Sequence, residues 1–315
     1  MSMKYVIEAY ELLDSPSVSG EIVRNALISA GNDEKSVEVK TVHGPKGHTD
    51  FIKAWFPGSE GKKNGGMAST LGIVGRLGGI GARPERIGLV SDGDGAIAAI
   101  AVAMKLGKMA KSGDVLKGDV FVSTHICPNA PTLPHDPVPF MDSPINMGIA
   151  NAEEINDSLD AVLSIDTTRG NRVINHRGFA ISPTVKEGYI LRVSDDLLTI
   201  MSYVTGKEPS VFAVTTQDIT PYGNGLDHLN SILQPCTATT SPVVGVALTT
   251  VTAVPGCATG ASQIVDIEAA VRFSIEVAKA FGEGSVAFFD EKEFKRLVDL
   301  YGSMAKLQTI GGKGA

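Results

Sequence analysis

The chain has 315 residues, 43% hydrophobic and 20% charged, with a formal net charge of −7. That is the composition of a globular protein with a sizeable core. It carries no Lys/Arg run of the kind a nucleic-acid binder needs, and Gly, Lys and Asp break every apolar run before it reaches membrane-spanning length. Cys127, Cys236 and Cys257 lie far apart and form no CxxC pair, and the first residues are too acidic and amphipathic for a signal peptide. The expected setting is therefore reducing and cytoplasmic.

In chain order, residues 5–13 read as a short amphipathic helix. A turn follows in which Ser17 or Ser19 can cap a second helix over 21–30. Residues 37–42 alternate as a strand, and the next strand and turn carry His48 and Asp50 as His-x-Asp. The Gly-rich segment 62–83 admits a helix around 69–77, although glycine weakens it.

Residues 86–128 then read as strand (87–91), acidic Gly turn, buried helix and strand (119–124), a βαβ unit expected to be parallel. The Pro-rich stretch 129–144 reads as a long loop. Beyond it come a short helix at 153–157, a buried strand at 160–165 ending in Asp166, and a strand or two within 172–183. A helix over 195–204, a strand at 210–214, a short helix at 227–233 and an apolar strand at 243–252 follow. Helices over 266–281 and 289–307 close the chain before a frayed tail at 310–315. Alternating strands and helices without repeats predict one α/β domain over 1–315.

Ligands of open α/β sheets gather outside the carboxyl ends of the strands. Asp92, His125 and Asp166 each follow an expected buried strand, and His48 and Asp50 can reach the same rim from their turn. Crowded carboxylates repel, and a divalent cation relieves that repulsion. Carboxylate with imidazole suits zinc, manganese or cobalt, and metal-activated water for hydrolysis is the matching chemistry. Structural readings stand beside this one. Asp92 or Asp94 can cap the helix, Asp166 can be a turn residue paired with Arg169, His125 can be a hydrogen-bonded core histidine, and Cys127 can be a small buried hydrophobe. Gly93-Asp94-Gly95 also matches the opening of a dinucleotide-binding turn, but Asp92 and Asp94 would oppose a pyrophosphate there.

The order of these motifs resembles the co-catalytic zinc exopeptidases, the aminopeptidase and carboxypeptidase clan. The resemblance is carried by residues 11–21 (ELLDSPSVSGE), His48-Thr49-Asp50, residues 91–95 (SDGDG), residues 116–120 (LKGDV), Ile165-Asp166 and Leu226-Asp227-His228. It implies a three-layer α/β/α sandwich with a central mixed, mostly parallel sheet. It also implies His48, Asp92 and Asp166 as metal ligands, with Asp50 orienting His48. Two departures stand out. The clan's Glu-Glu pair would fall near Cys127-Pro128, and its closing His within 255–264, and neither is there. His125 is the candidate replacement as ligand or base, and His228 the candidate for the closing His. As a whole the chain also resembles the family called domain of unknown function 1177, a name that supplies no activity. The expectation is a divergent metal-dependent hydrolase acting on an amide-like bond of a small molecule or short peptide, assembled as a homo-oligomer. The rivals are a catalytically inactive relative with a binding or assembly role, and a nucleotide-binding protein.

Overall fold

The computed structural model describes residues 2–79, 89, 93–134, 140–168, 170–214, 230–252 and 262–308. The chain begins with α1 (Met3–Asp14) and α2 (Gly20–Ala30), then a hairpin of β1 (Val37–Gly44) and β2 (Gly47–Phe56), and β3 (Leu71–Gly79). Next come α3 (Asp94–Lys111), β4 (Val120–Cys127), the two-residue strands β5 (Thr132–Leu133) and β6 (Phe140–Met141), α4 (Met147–Glu154) and β7 (Ala161–Thr168). The remainder is β8 (Gly178–Ile181), β9 (Val185–Lys186), β10 (Tyr189–Ile190), α5 (Asp195–Thr205), a 3-10 helix (Ser231–Thr237), β11 (Val243–Thr249), α6 (Ile264–Glu283) and α7 (Glu291–Tyr301). Among the described residues no helix is long and apolar enough to cross a membrane.

The main sheet has the order β1-β2-β4-β3-β7-β11-β9-β10, with β8 also paired to β11. It is a mixed sheet. Its four central strands β4, β3, β7 and β11 run parallel, while β2 joins β4, and β8 and β9 join β11, antiparallel. The parallel centre lets helices cross over it, and the hairpins finish its flanks without crossovers. One face is covered by α1, α2, α3, α5 and α6, which share a core with Leu71, Ile73, Val122, Leu163 and Val246. The other face carries a smaller core under α4 and the 3-10 helix, built on Val74, Phe121, Val162, Ile232 and Leu233.

Several boundaries depart from the sequence reading. The helix expected over 69–77 is strand β3, because its apolar residues alternate between the two cores: Leu71 and Ile73 enter one, Val74 the other. The βαβ unit is therefore β3-α3-β4. The strand expected at 87–91 lies outside the described residues except for Leu89, which is buried and donates its N–H to Asp14. The helix expected at 153–157 is α4, which ends where that reading began. It starts earlier because Asn146 caps it, accepting from Gly148 N. Residues 210–214 form only an isolated bridge at Val211, and the helix expected over 289–307 is α7 (Glu291–Tyr301), which stops before Gly302.

The buried α3 sits directly on the sheet, and two glycines permit it. A Cβ on Gly75 would lie 2.2 Å from Gly95 O and 2.6 Å from Ala99 Cβ. A Cβ on Gly95 would lie 2.5 Å from both Arg76 O and Ile165 O. Gly95 is thus accounted for by helix–sheet contact. In that first turn Asp94 is buried and accepts from Ser262 Oγ, so a carboxylate stands where the nucleotide reading would need room for phosphate. Gly95→Ala is expected to cost about 1–3 kcal/mol by forcing α3 off the sheet, measured as a lowered denaturation midpoint with an unchanged denaturant slope.

Candidate functional site

The parallel register sets which side chains meet. Gly75 of β3 pairs with Thr124 of β4 and Ile165 of β7, so Arg76, His125 and Asp166 follow one another across three adjacent strands. The ladder shifts register between Gly75 and Gly78, and Arg76 stands at that irregularity. His125 and Cys127 lie inside β4, not beyond its end as expected, and all eight residues of that strand are buried.

His125 does not stand alone. Its Nδ1 lies 2.6 Å from Glu154 Oε1, and Glu154 Oε2 accepts from Arg76 NH1 at 2.6 Å. The same NH1 donates to Asn151 Oδ1 at 2.6 Å. The side chains of Arg76 and Glu154 have no exposed surface, and that of His125 keeps 6%. Helix α4 supplies both Asn151 and Glu154, one turn apart on its inner face. Burial alone would raise the Glu154 pKa, but Arg76 and His125 outweigh it and hold the carboxyl below its ordinary value. With Glu154 ionised and able only to accept, Nδ1 of His125 carries the bonding proton.

The neighbouring Glu153 turns outward. It accepts from Lys40 at 2.5 Å and Lys53 at 3.0 Å, which outweigh its own burial and lower its pKa. Together with the Lys46–Asp142 pair, these contacts clamp α4 and the chain before it onto the β1-β2 hairpin. A Glu-Glu pair is therefore present in the chain, far from where the exopeptidase resemblance places one. One member faces the interior and the other the surface.

The other described residues expected at the site, His48, Asp50 and Asp166, make different contacts. Asp50 has both oxygens engaged: Oδ2 accepts from Gly20 N at 2.8 Å and Oδ1 from Thr41 Oγ1 at 2.7 Å. It anchors the start of α2 and does not orient His48, which is a correction to the role expected for it. The Phe51 ring contacts the His125 ring at 5.5 Å between centroids, so Phe51 is on the face of His125 and Asp50 on the opposite face. By the same alternation His48 shares the face of Asp50, and its ring lies 5.7 Å from that of His43 across the hairpin. Asp166 is buried, with Oδ1 accepting from Thr167 N at 2.7 Å and Oδ2 from Ser231 Oγ at 3.4 Å. Asp92 and His228 lie outside the described residues.

The described donors therefore do not fit a shared divalent ion. β2 and β7 are separated by β4 and β3, so the strands of His48 and Asp166 are roughly 14 Å apart by strand spacing alone. The two side chains also face opposite sides of the sheet. Between His125 and Asp166 stands the Arg76 guanidinium, already a full positive charge beside Glu154. Among the described residues no group of three or more His, Cys, Asp or Glu could hold a metal ion. The two described thiols are buried, and burial pushes Cys127 up to about 11 and Cys236 up to about 12, so neither is a nucleophile at neutral pH.

Sequence reasoning missed Arg76, Asn151 and Glu154. One signal was available. A lone arginine inside the apolar, Gly-rich run LGIVGRLGG must find a counter-charge if the run is a core strand. Nothing in the sequence says which of the chain's acids provides it.

A family model described as "Protein of unknown function (DUF1177)" matches residues 40–311. No curated protein matches the sequence. Among solved structures, the chain is similar to a glutaminyl cyclase from an Acidobacteriales bacterium, at 11% identity and a TM-score of 0.50, over 90% of this chain and 94% of that one. It is also similar to the LapA aminopeptidase of Legionella pneumophila, at 11% identity and a TM-score of 0.48, over 88% and 71% of the two chains. A third similar structure is the bottromycin maturation enzyme BotP in complex with Mn, at 14% identity and a TM-score of 0.49, over 90% and 71%. At these identities the likeness is one of fold.

Two stability outcomes follow from the buried pair. Glu154→Gln strands the Arg76 charge and is expected to cost about 3–5 kcal/mol, whereas Glu153→Gln is expected to cost about 1 kcal/mol or less. Chemical denaturation at neutral pH measures both. Because the folded Glu154 pKa is depressed, its contribution is complete above the unfolded carboxylate range and disappears as pH falls through the folded value. The acid limb of a stability–pH curve is therefore expected to be shallower in Glu154→Gln than in the parent protein.

Proposed function

This chain belongs to the DUF1177 family, and from that premise, together with its exopeptidase-like fold, we propose that it hydrolyses an amide-like bond in a small molecule or short peptide. The observation that carries the reading is the 2.6 Å contact between His125 Nδ1 and the buried carboxylate of Glu154. A carboxylate on one imidazole nitrogen fixes the tautomer and leaves the other nitrogen as the proton acceptor. His125 is the member of the three that reaches solvent. Its role is general base toward water, with Glu154 stabilising the imidazolium that forms and Arg76 holding Glu154 ionised in the interior. The steps assigned here are those of His125, Glu154 and Arg76 alone.

The competing reading is a binding protein without turnover. It is favoured by the charge balance at the site: the carboxylate beside His125 is already neutralised by Arg76.

A hydrolysis screen over small N-acyl amides and dipeptides, run with and without added zinc or manganese, separates the two. His125→Asn is expected to lower the rate by roughly 10²–10⁴-fold in both conditions while the protein stays folded by circular dichroism. A parent protein that hydrolyses nothing in the screen, or a His125→Asn variant as active as the parent, defeats the proposal.

A further inference from the structure

β2 ends at Phe56, opposite Val120, at the end of the sheet where β4 begins. The link from there to β3 is a tightly bonded loop. Buried Asp119 accepts from Gly58 N at 2.8 Å and from Lys63 N at 2.9 Å. Gly66 N donates to Gly61 O and Ala68 N to Glu60 O, while Ser59 N and Glu60 N donate to Leu116 O and Lys117 O. A Cβ on Gly66 would lie 1.9 Å from Glu60 O, so the loop is packed as well as bonded. This fixed frame holds Met67 92% exposed. A single exposed apolar side chain is ordinary on a protein surface. A methionine displayed on a pre-ordered loop differs, because docking it costs little further ordering.

At the same end, beside the base of the loop, lies a cavity of about 160 Å³. Phe56 and Pro57, which lead into the loop, line it together with Leu106, Ala110, Val115 and Leu116. Small-molecule clefts start at about 300 Å³, so this one matches a single long apolar side chain. Two carboxylates, Asp33 and Asp114, also line it. The loop carries the opposite charge. Lys62 pairs with Asp160, while Lys63 sits over the Trp55 ring, 4.0 Å from its centroid, with no ion pair among the described residues. Trp55 is itself part of the cavity wall.

We propose that a second copy of this chain covers this end of the sheet, with Met67 of each copy seated in the cavity of the other. Knob and socket share one patch, as a two-fold, self-complementary interface requires. Two kinds of fit select this occupant. An unbranched, adaptable thioether suits a narrow apolar socket. A loop with two lysines and one glutamate suits a socket lined by two aspartates. Val115, exposed at the socket, supplies apolar surface for the partner to cover. The interface is independent of the hydrolase reading, and leaves the opposite end of the sheet, where His125 lies, uncovered.

Sedimentation equilibrium of the full chain tests the proposal. The parent is expected to be a dimer that dissociates on dilution. Met67→Glu is expected to raise the dissociation constant by roughly 100-fold with unchanged far-UV circular dichroism, because residue 67 is exposed. Ala110→Trp fills the socket and is expected to do the same. Should that variant fail to fold, Val115→Glu at the exposed lip serves in its place. An equimolar mixture of Met67→Glu and Ala110→Trp keeps one of the two contacts, and is expected to form a heterodimer roughly tenfold weaker than the parent dimer. Asp114→Lys is expected to weaken the dimer by roughly 3- to 10-fold and to flatten its salt dependence. A parent that is monomeric at every concentration overturns the proposal, whether Met67 is then bare or covered by a different protein. A folded Met67→Glu or socket variant as dimeric as the parent, or a mixture that gains no heterodimer, overturns it as well.

Discussion

The organising interaction is the ion pair between Arg76 and Glu154, both without exposed surface. Two charges removed from water cost several kcal/mol each, and their attraction returns that cost only when geometry is good and spare hydrogen-bonding groups are filled. Here Glu154 is filled on both oxygens, by Arg76 and His125. Arg76 is not filled, since its Nε and Nη2 have no partner. The pair thus ties α4 to the centre of the sheet and fixes the ring of His125, while leaving polar demand in the interior. A purely structural pair would be better served by an arginine with all its donors used, or by apolar side chains of the same volume.

Helix α4 has eight residues, too few to be stable by its own backbone bonds. It is held from two directions. Glu154 enters the interior, and Glu153 takes the two lysines of the hairpin. The adjacent chain approaches the hairpin so closely that a Cβ on Gly44 would lie 2.2 Å from Pro144 O. The position of the His125 ring therefore depends on how the β1-β2 hairpin and α4 dock. It depends less on any residue near His125 in sequence.

The sheet also partitions chemistry. Strand alternation puts Asp50 and His48 on the side of α2, and His125 and Arg76 on the side of α4. Residues that share a rim in one dimension are separated by the thickness of the sheet in another. Asp50 illustrates the outcome: a carboxylate at a strand end that holds a helix start through Gly20 N, with the helix dipole favouring its charge.

Much of the architecture was legible in the chain itself. The cap at Ser19 and the all-round apolar helix after Gly95 were readable. So were the apolar runs read as strands at 119–124, 160–165 and 243–252, which overlap the observed strands β4, β7 and β11, because periodicity, caps and composition are local properties that survive without a fold. β3 was misread as a helix because its glycines leave too few apolar residues to show the alternation of a strand. Their purpose, room for α3, exists only once the helix is in place. His125 was singled out from its position after an apolar run, but its partners were not, since Glu154 is 29 residues away and Arg76 precedes it by 49 (125 − 76). Sequence alone determined which segments bury and which residues carry chemistry. Tertiary structure decided which of them meet, because strand order, register and the two faces of a sheet are set by packing between distant segments, and that packing placed Glu154, held by Arg76, beside the histidine.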